Sequence, residues 1–218
     1  EIYQCDWSSD VCSSDPGGII GPGDVQWMTA AGGLVHEEFH GPNFAKKGGP
    51  FEMIQLWVNL AAKDKMAKPG YQGIVDKQIP RVALTDGAGS VRVIAGAYQG
   101  EKGPARTFSP MNVWDVRVAK GKRVEFPAGA GETTAVLVMK GGLKVGDETA
   151  REGELAVFER DGEGFAVEAV EDATLLVLNG QPIDEPIVGY GPFVMNSADE
   201  IRQAIADFQD GRMGSLPA

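Results

Sequence analysis

Histidine and cysteine are almost absent from this 218-residue chain, which contains two of each. Both cysteines, Cys5 and Cys12, fall in the first 15 residues. No disulfide framework can therefore hold the rest of the chain, and the spacing is wrong for a zinc knuckle. From Lys47 to Ala218 there is neither histidine nor cysteine. A metal site in that stretch would have to be built from carboxylates alone, which points to a structural role or a binding surface. No apolar run approaches the roughly 18 residues that a membrane span needs. A Gly-rich phosphate loop, a nucleophile elbow and a Cys–His pairing are missing too. Basic charge is scarce: 20 Lys and Arg stand against 31 Asp and Glu, for a formal net charge of −11. The nearest approach to a basic patch is Lys46–Lys47 and the spaced Lys63, Lys65 and Lys68. An acidic surface repels phosphate, which argues against direct contact with nucleic acid or anionic lipid.

What is present divides into a short foreign-looking start and a long strand-rich body. Residues 1–15 carry four acids, no base and a Ser-Asp repeat, unlike everything after them. They lack the basic start and apolar stretch of a signal peptide, so a cytoplasmic location is expected. They read as a foreign or disordered tail, of the kind left by translated adapter sequence, and are set aside from the fold. From about residue 19 to 179 the pattern is period-two alternation, the mark of half-buried strands. In Glu52–Leu60 the even positions Ile54, Leu56, Val58 and Leu60 are apolar, and Trp114, Val116 and Val118 repeat the pattern. Apolar runs at Ala135–Met139 and Leu175–Leu178 add further strands, and Gly-Gly, Asp-Gly and Asn-Gly pairs punctuate them. Trp27, Trp57 and Trp114 are expected in the core. Many short strands at this spacing predict a sandwich or a barrel. Near the end, Ser197 and Glu200 form a candidate capping box, Ile201, Ile205 and Phe208 a helical stripe, and Gly211 a stop. A weak internal repeat links Ile19–Met28 with Ala150–Phe158, each a tight glycine turn, an acid and a strand. It suggests two duplicated units, with a boundary in the polar stretch 99–108.

Both histidines lie in Leu34-Val35-His36-Glu37-Glu38-Phe39-His40. In a strand, residues two apart share a face, so His36 and Glu38 would project together. One imidazole and one carboxylate suit a divalent transition metal such as non-haem iron, with open positions left for substrate or oxygen. The same spacing also describes an ordinary surface pair. His40 shares the parity but reads as a loop histidine beyond the strand.

Several strings together resemble the pirin family. They are Gly21-Pro22-Gly23-Asp24-Val25-Gln26-Trp27-Met28-Thr29-Ala30, Val35-His36-Glu37-Glu38, and Gln55-Leu56-Trp57-Val58-Asn59-Leu60. Ala62-Lys63-Asp64-Lys65-Met66, Pro69, Tyr71-Gln72 and Gly191-Pro192-Phe193-Val194-Met195-Asn196 follow in the family's order, leading into Glu200-Ile201. The resemblance spans 17–212. It implies an all-β bicupin, two antiparallel β-barrels in tandem with a short C-terminal helix. On that reading residues 16–103 make a partial N-terminal barrel, and 104–218 the C-terminal barrel plus the helix. The family's iron, Fe(II), is held by three histidines and a glutamate in the first barrel, and its His-x-Glu element carries over onto His36 and Glu38. The family's other two histidines come from a His-x-His strand ahead of the Gly-Pro-Gly-Asp turn, and here that element is absent. The simplest expectation is a gene fragment whose first strands are replaced, leaving the first barrel incomplete. The activity implied for the complete form is that of an iron-dependent quercetin 2,3-dioxygenase acting on a flavonol, with Glu38 as both ligand and catalytic proton acceptor; this chain, without the His-x-His half of the site, is expected to be inactive. The alternative is an iron-binding, non-catalytic transcriptional co-regulator that works through protein partners.

Overall fold

Alternation becomes a strand only where a second strand satisfies the backbone, and this chain shows both outcomes. The computed structural model describes residues 8–12 and 15–216. Contacts divide the chain into two units, Glu1–Asp76 with Ile183–Ala218, and Lys77–Pro182. The polar stretch 99–108 lies inside the second unit. Among the described residues no helix is long and apolar enough to cross a membrane.

In the first unit, β1 (Ser8–Cys12) lies between β2 (Asp15–Ile20) and β4 (His36–Phe39) in an antiparallel three-stranded sheet. Residues 8–12, set aside as tail in the sequence reading, thus form a strand; 1–7 and 13–14 lie outside the described residues. The strand β3 (Val25–Thr29) pairs with β5 (Gly70–Ile74), and the short helix α1 (Pro42–Lys47) starts on a proline. Proline suits a first helical turn, where no backbone donor is needed.

The stretch Glu52–Leu60 corrects the sequence reading. It forms no strand ladder. Without a partner strand to take up its backbone groups, alternation alone does not hold it in a sheet. Most of its side chains stay out: Leu56 and Val58 are exposed, Ile54 and Leu60 are half-buried, and Trp57, expected in the core, is 67% exposed. Trp27 is half-buried, and only Trp114 is fully inside.

The second unit contains twelve strands: β6 (Arg81–Ala83), β7 (Gly89–Ala95), β8 (Ala97–Tyr98), β9 (Glu101–Lys102), β10 (Met111–Val118) and β11 (Arg123–Pro127). They continue with β12 (Thr133–Lys140), β13 (Gly142–Val145), β14 (Glu148–Arg151), β15 (Leu155–Phe158), β16 (Gly164–Ala169) and β17 (Ala173–Gly180). One sheet runs β15-β12-β17-β10-β7-β6 and a second runs β11-β16-β13-β14. Their inner faces share a single core. Here alternation reports burial faithfully: Trp114, Val116 and Val118 are at most 2% exposed. Tyr98 and Phe126 lie 5.1 and 6.1 Å from the Trp114 ring, and Phe165 stacks on Phe126 at 5.3 Å. This aromatic packing fills the space between the sheets, and each such side chain contributes roughly 1.5–3 kcal/mol by leaving water.

The repeat seen in the sequence is one turn built twice. Asp24 N donates to Gly21 O at 3.1 Å, while Gly21 N donates to Asp24 Oδ2 at 2.9 Å. In the second unit Glu154 N donates to Arg151 O at 2.9 Å and Arg151 N to Glu154 Oε2 at 2.7 Å. The residue before each acid is a glycine with positive φ, 85° at Gly23 and 83° at Gly153, as a type II turn requires.

The chain then returns to the first unit with β18 (Val188–Tyr190), β19 (Phe193–Met195) and the helix α2 (Ala198–Gln209). Half of the capping box forms as read: Glu200 N donates to Ser197 Oγ at 3.3 Å, while the Glu200 carboxylate accepts from Asn196 N, one residue ahead of the cap, and Ile201 is buried. Gly211, at φ 73°, sends its N–H to Phe208 O and ends the helix.

Candidate metal centre

The strand β4 exists because Gly33, at φ 110°, turns the chain out of β3 and β1 then offers a ladder partner. The register sets His36 opposite Cys12 and Glu38 opposite Asp10 along the backbone. His36 and Glu38 lie two apart on β4 and so share a face. Both are exposed. Gln55 Nε2 stands 3.5 Å from each carboxylate oxygen of Glu38, the outer limit of a hydrogen bond, so the amide orients the carboxylate from the side. His40 lies past the strand and packs on Phe44 and Phe51, at ring distances of 5.1 and 5.0 Å. That contact makes it part of an aromatic cluster, in keeping with the loop reading.

Among the described residues no group of three or more His, Cys, Asp or Glu side chains is placed to hold one ion. His36 and Glu38 are thus two donors of the right kind on an open strand face. A pair from one strand supplies neither the ligand number nor the fixed geometry that tight binding needs. The donor set does not fit a resident mononuclear metal.

Composition gave no hint of a second polar cluster in the first unit. Lys65 is 5% exposed, and its Nζ donates to Asn59 Oδ1 at 2.8 Å and Val194 O at 3.1 Å. Burial pushes the Lys65 ammonium below the usual lysine range, while the Glu185 and Glu200 carboxylates pull it back up. Glu185 Oε2 accepts from Ala62 N at 2.6 Å and Asn196 Nδ2 at 3.1 Å. Asn196 N and Ser197 Oγ both donate to Glu200 Oε2 at 3.0 Å. Asn59, Lys65 and the pair Val194 and Asn196 come from three separate strings of the family resemblance, and they meet here with Glu200. In the sequence Lys65 is one of several spaced lysines, and nothing local marks it as buried.

Antiparallel sheets around an aromatic core, entered through tight glycine turns, define an all-β protein of paired sheets. Family profiles sharpen that class: "Pirin C-terminal cupin domain" matches residues 113–214 and "Pirin" matches 13–58. A Pseudomonas aeruginosa protein named "Putative quercetin 2,3-dioxygenase" is 55% identical over 200 residues, covering 92% of this chain and 70% of that protein. A Caulobacter vibrioides "Pirin-like protein" is 40% identical over 197 residues, covering 89% of this chain and 69% of its own. The crystal structure of a quercetin 2,3-dioxygenase from Acinetobacter baumannii superposes with a TM-score of 0.92 at 49% identity, over 95% of this chain and 73% of that one. The chain belongs to the pirin family.

Proposed function

We propose that this chain is a pirin of the quercetin 2,3-dioxygenase type, a kind of protein whose complete form cleaves a flavonol with oxygen at an Fe(II) site, and that the residues present here supply only half of that site and leave it inactive. The observation that carries this is the pairing of His36 and Glu38 on one face of β4 in a chain that is 55% identical to a protein named for that activity. Glu38, steadied by Gln55, is the carboxylate that would accept a proton from a flavonol hydroxyl. A non-catalytic, protein-contacting role is favoured instead by the apolar surface around Phe51, Met53, Leu56 and Trp57, all exposed.

Metal content after anaerobic loading with Fe(II) and desalting, followed by oxygen uptake with quercetin, tests the reading. Iron well below one per chain and no flavonol-dependent uptake are expected. Near one iron per chain, lost in His36→Ala and accompanied by turnover, would refute the half-site. Stoichiometric iron without turnover, together with iron-dependent capture of a protein partner, would favour the regulator.

A further inference from the structure

Among the described residues the strand β15 is an edge of the six-stranded sheet, paired on one side only, with β12. Val138 spends both backbone groups on the turn before β15, accepting from Gly153 N at 2.8 Å and donating to Glu154 O at 3.0 Å. In an antiparallel ladder hydrogen-bonded pairs alternate. The next such pairs are therefore Val136 with Ala156 and Thr134 with Phe158, which leaves the N–H and C=O groups of Leu155 and Val157 on the open side. The same two residues turn their side chains away from the core: Leu155 is 54% and Val157 67% exposed, while Ala156 and Phe158 pack inward. Directly across the ladder, Leu137 and Ala135 extend this outer face as half-buried apolar neighbours. The strand carries no proline and no lysine, two residues that commonly blunt an exposed edge.

Charge selects the occupant. Between 151 and 163 five exposed acids, Glu152, Glu154, Glu159, Asp161 and Glu163, surround the strand, against the two bases Arg151 and Arg160. A second copy docking edge to edge would bring two such acidic rims together, which like-charge repulsion opposes. A basic extended segment meets no such penalty. We propose that the open edge of β15 is a docking strand for a protein partner, whose extended segment alternates apolar and basic side chains. Its backbone pairs with Leu155 and Val157, its apolar side chains rest on theirs, and its bases face the acidic rim.

The probe is a fluorescein-labelled Lys-Val-Lys-Val-Lys-Val-Lys peptide, titrated with the full chain and followed by anisotropy at low and high salt. Saturable binding that weakens with salt is expected. Val157→Pro removes an outward donor without touching the β12 ladder, and the Leu155→Ser/Val157→Ser double variant removes the apolar anchors while keeping the backbone. Each should weaken binding by about tenfold or more. Circular dichroism and a melt establish that the variants fold; should the proline variant not fold, the serine pair decides. Absence of binding, unchanged binding in the folded variants, or equal binding of Glu-Val-Glu-Val-Glu-Val-Glu overturns the assignment. Self-association by sedimentation equilibrium that Val157→Pro abolishes would make a second copy the occupant and equally overturn it.

Discussion

Replacing Lys65 by alanine should loosen the returning chain segment and leave the second unit untouched. The lysine is 5% exposed and holds two acceptors, Asn59 Oδ1 and Val194 O, that lie 6 and 129 residues away in sequence. A hydrogen bond from a charged donor is worth about 1.5–3 kcal/mol net, and truncation strands both acceptors. Relief from burying an ammonium offsets part of this, so a local cost of about 2–4 kcal/mol is expected. Hydrogen exchange read by mass spectrometry measures it segment by segment. Amides in β19 and α2, Phe193–Met195 and Ala198–Gln209, should exchange faster by roughly one and a half to three powers of ten. Those of β10 and β17 should not change. Dependence on pH adds a second constraint. Because burial lowers the folded-state pKa of Lys65 below 10.5, the unfolded chain binds the extra proton between those two values. Stability therefore rises with pH across that window as the charge penalty is relieved, and Lys65→Met should abolish the rise. Equal loss of protection in both units, or a pH slope unchanged in Lys65→Met, would refute the assignment of Lys65 as the pin of this segment.

Further substitutions probe other parts of the fold. Trp114→Ala empties the centre of the aromatic core, where the ring is 1% exposed, and should cost about 3–5 kcal/mol in urea denaturation of the second unit. Gly89→Ala should be at least as disruptive to β7–β10 pairing. Gly89 has φ 139°, and an added Cβ would lie 1.9 Å from Arg117 O, so the clash should push the two strands apart and speed exchange at that end of the ladder. Ser197→Ala deletes the cap of α2 and should lower stability by about 1 kcal/mol, read as fraying of the first helical turn.

Much of the second unit was legible from local pattern. Trp114, Val116 and Val118 alternate in sequence and point into the core, because a strand fixed on both sides obeys its period of two. The Ser197 half of the capping box formed because its hydrogen bond spans only three residues. The paired turns at Asp24 and Glu154 were visible for the same reason. The candidate metal pair was legible only as a shared parity on β4, and that parity says nothing about how exposed the strand face is.

Glu52–Leu60 marks the limit. Its alternation is as regular as that of β10, yet it forms no ladder and Trp57 stays in solvent, because a strand needs a neighbour that alternation cannot supply. Groups within a few residues of one another set the β class, the turns, the terminal helix and the His36–Glu38 parity, and these were therefore readable without the fold. Packing, by contrast, buries Lys65 against Val194 and, among the described residues, leaves β15 as an open edge and brings no third ligand to His36 and Glu38. Each of those outcomes depends on chain segments brought together by packing, over separations at which local propensity carries no information.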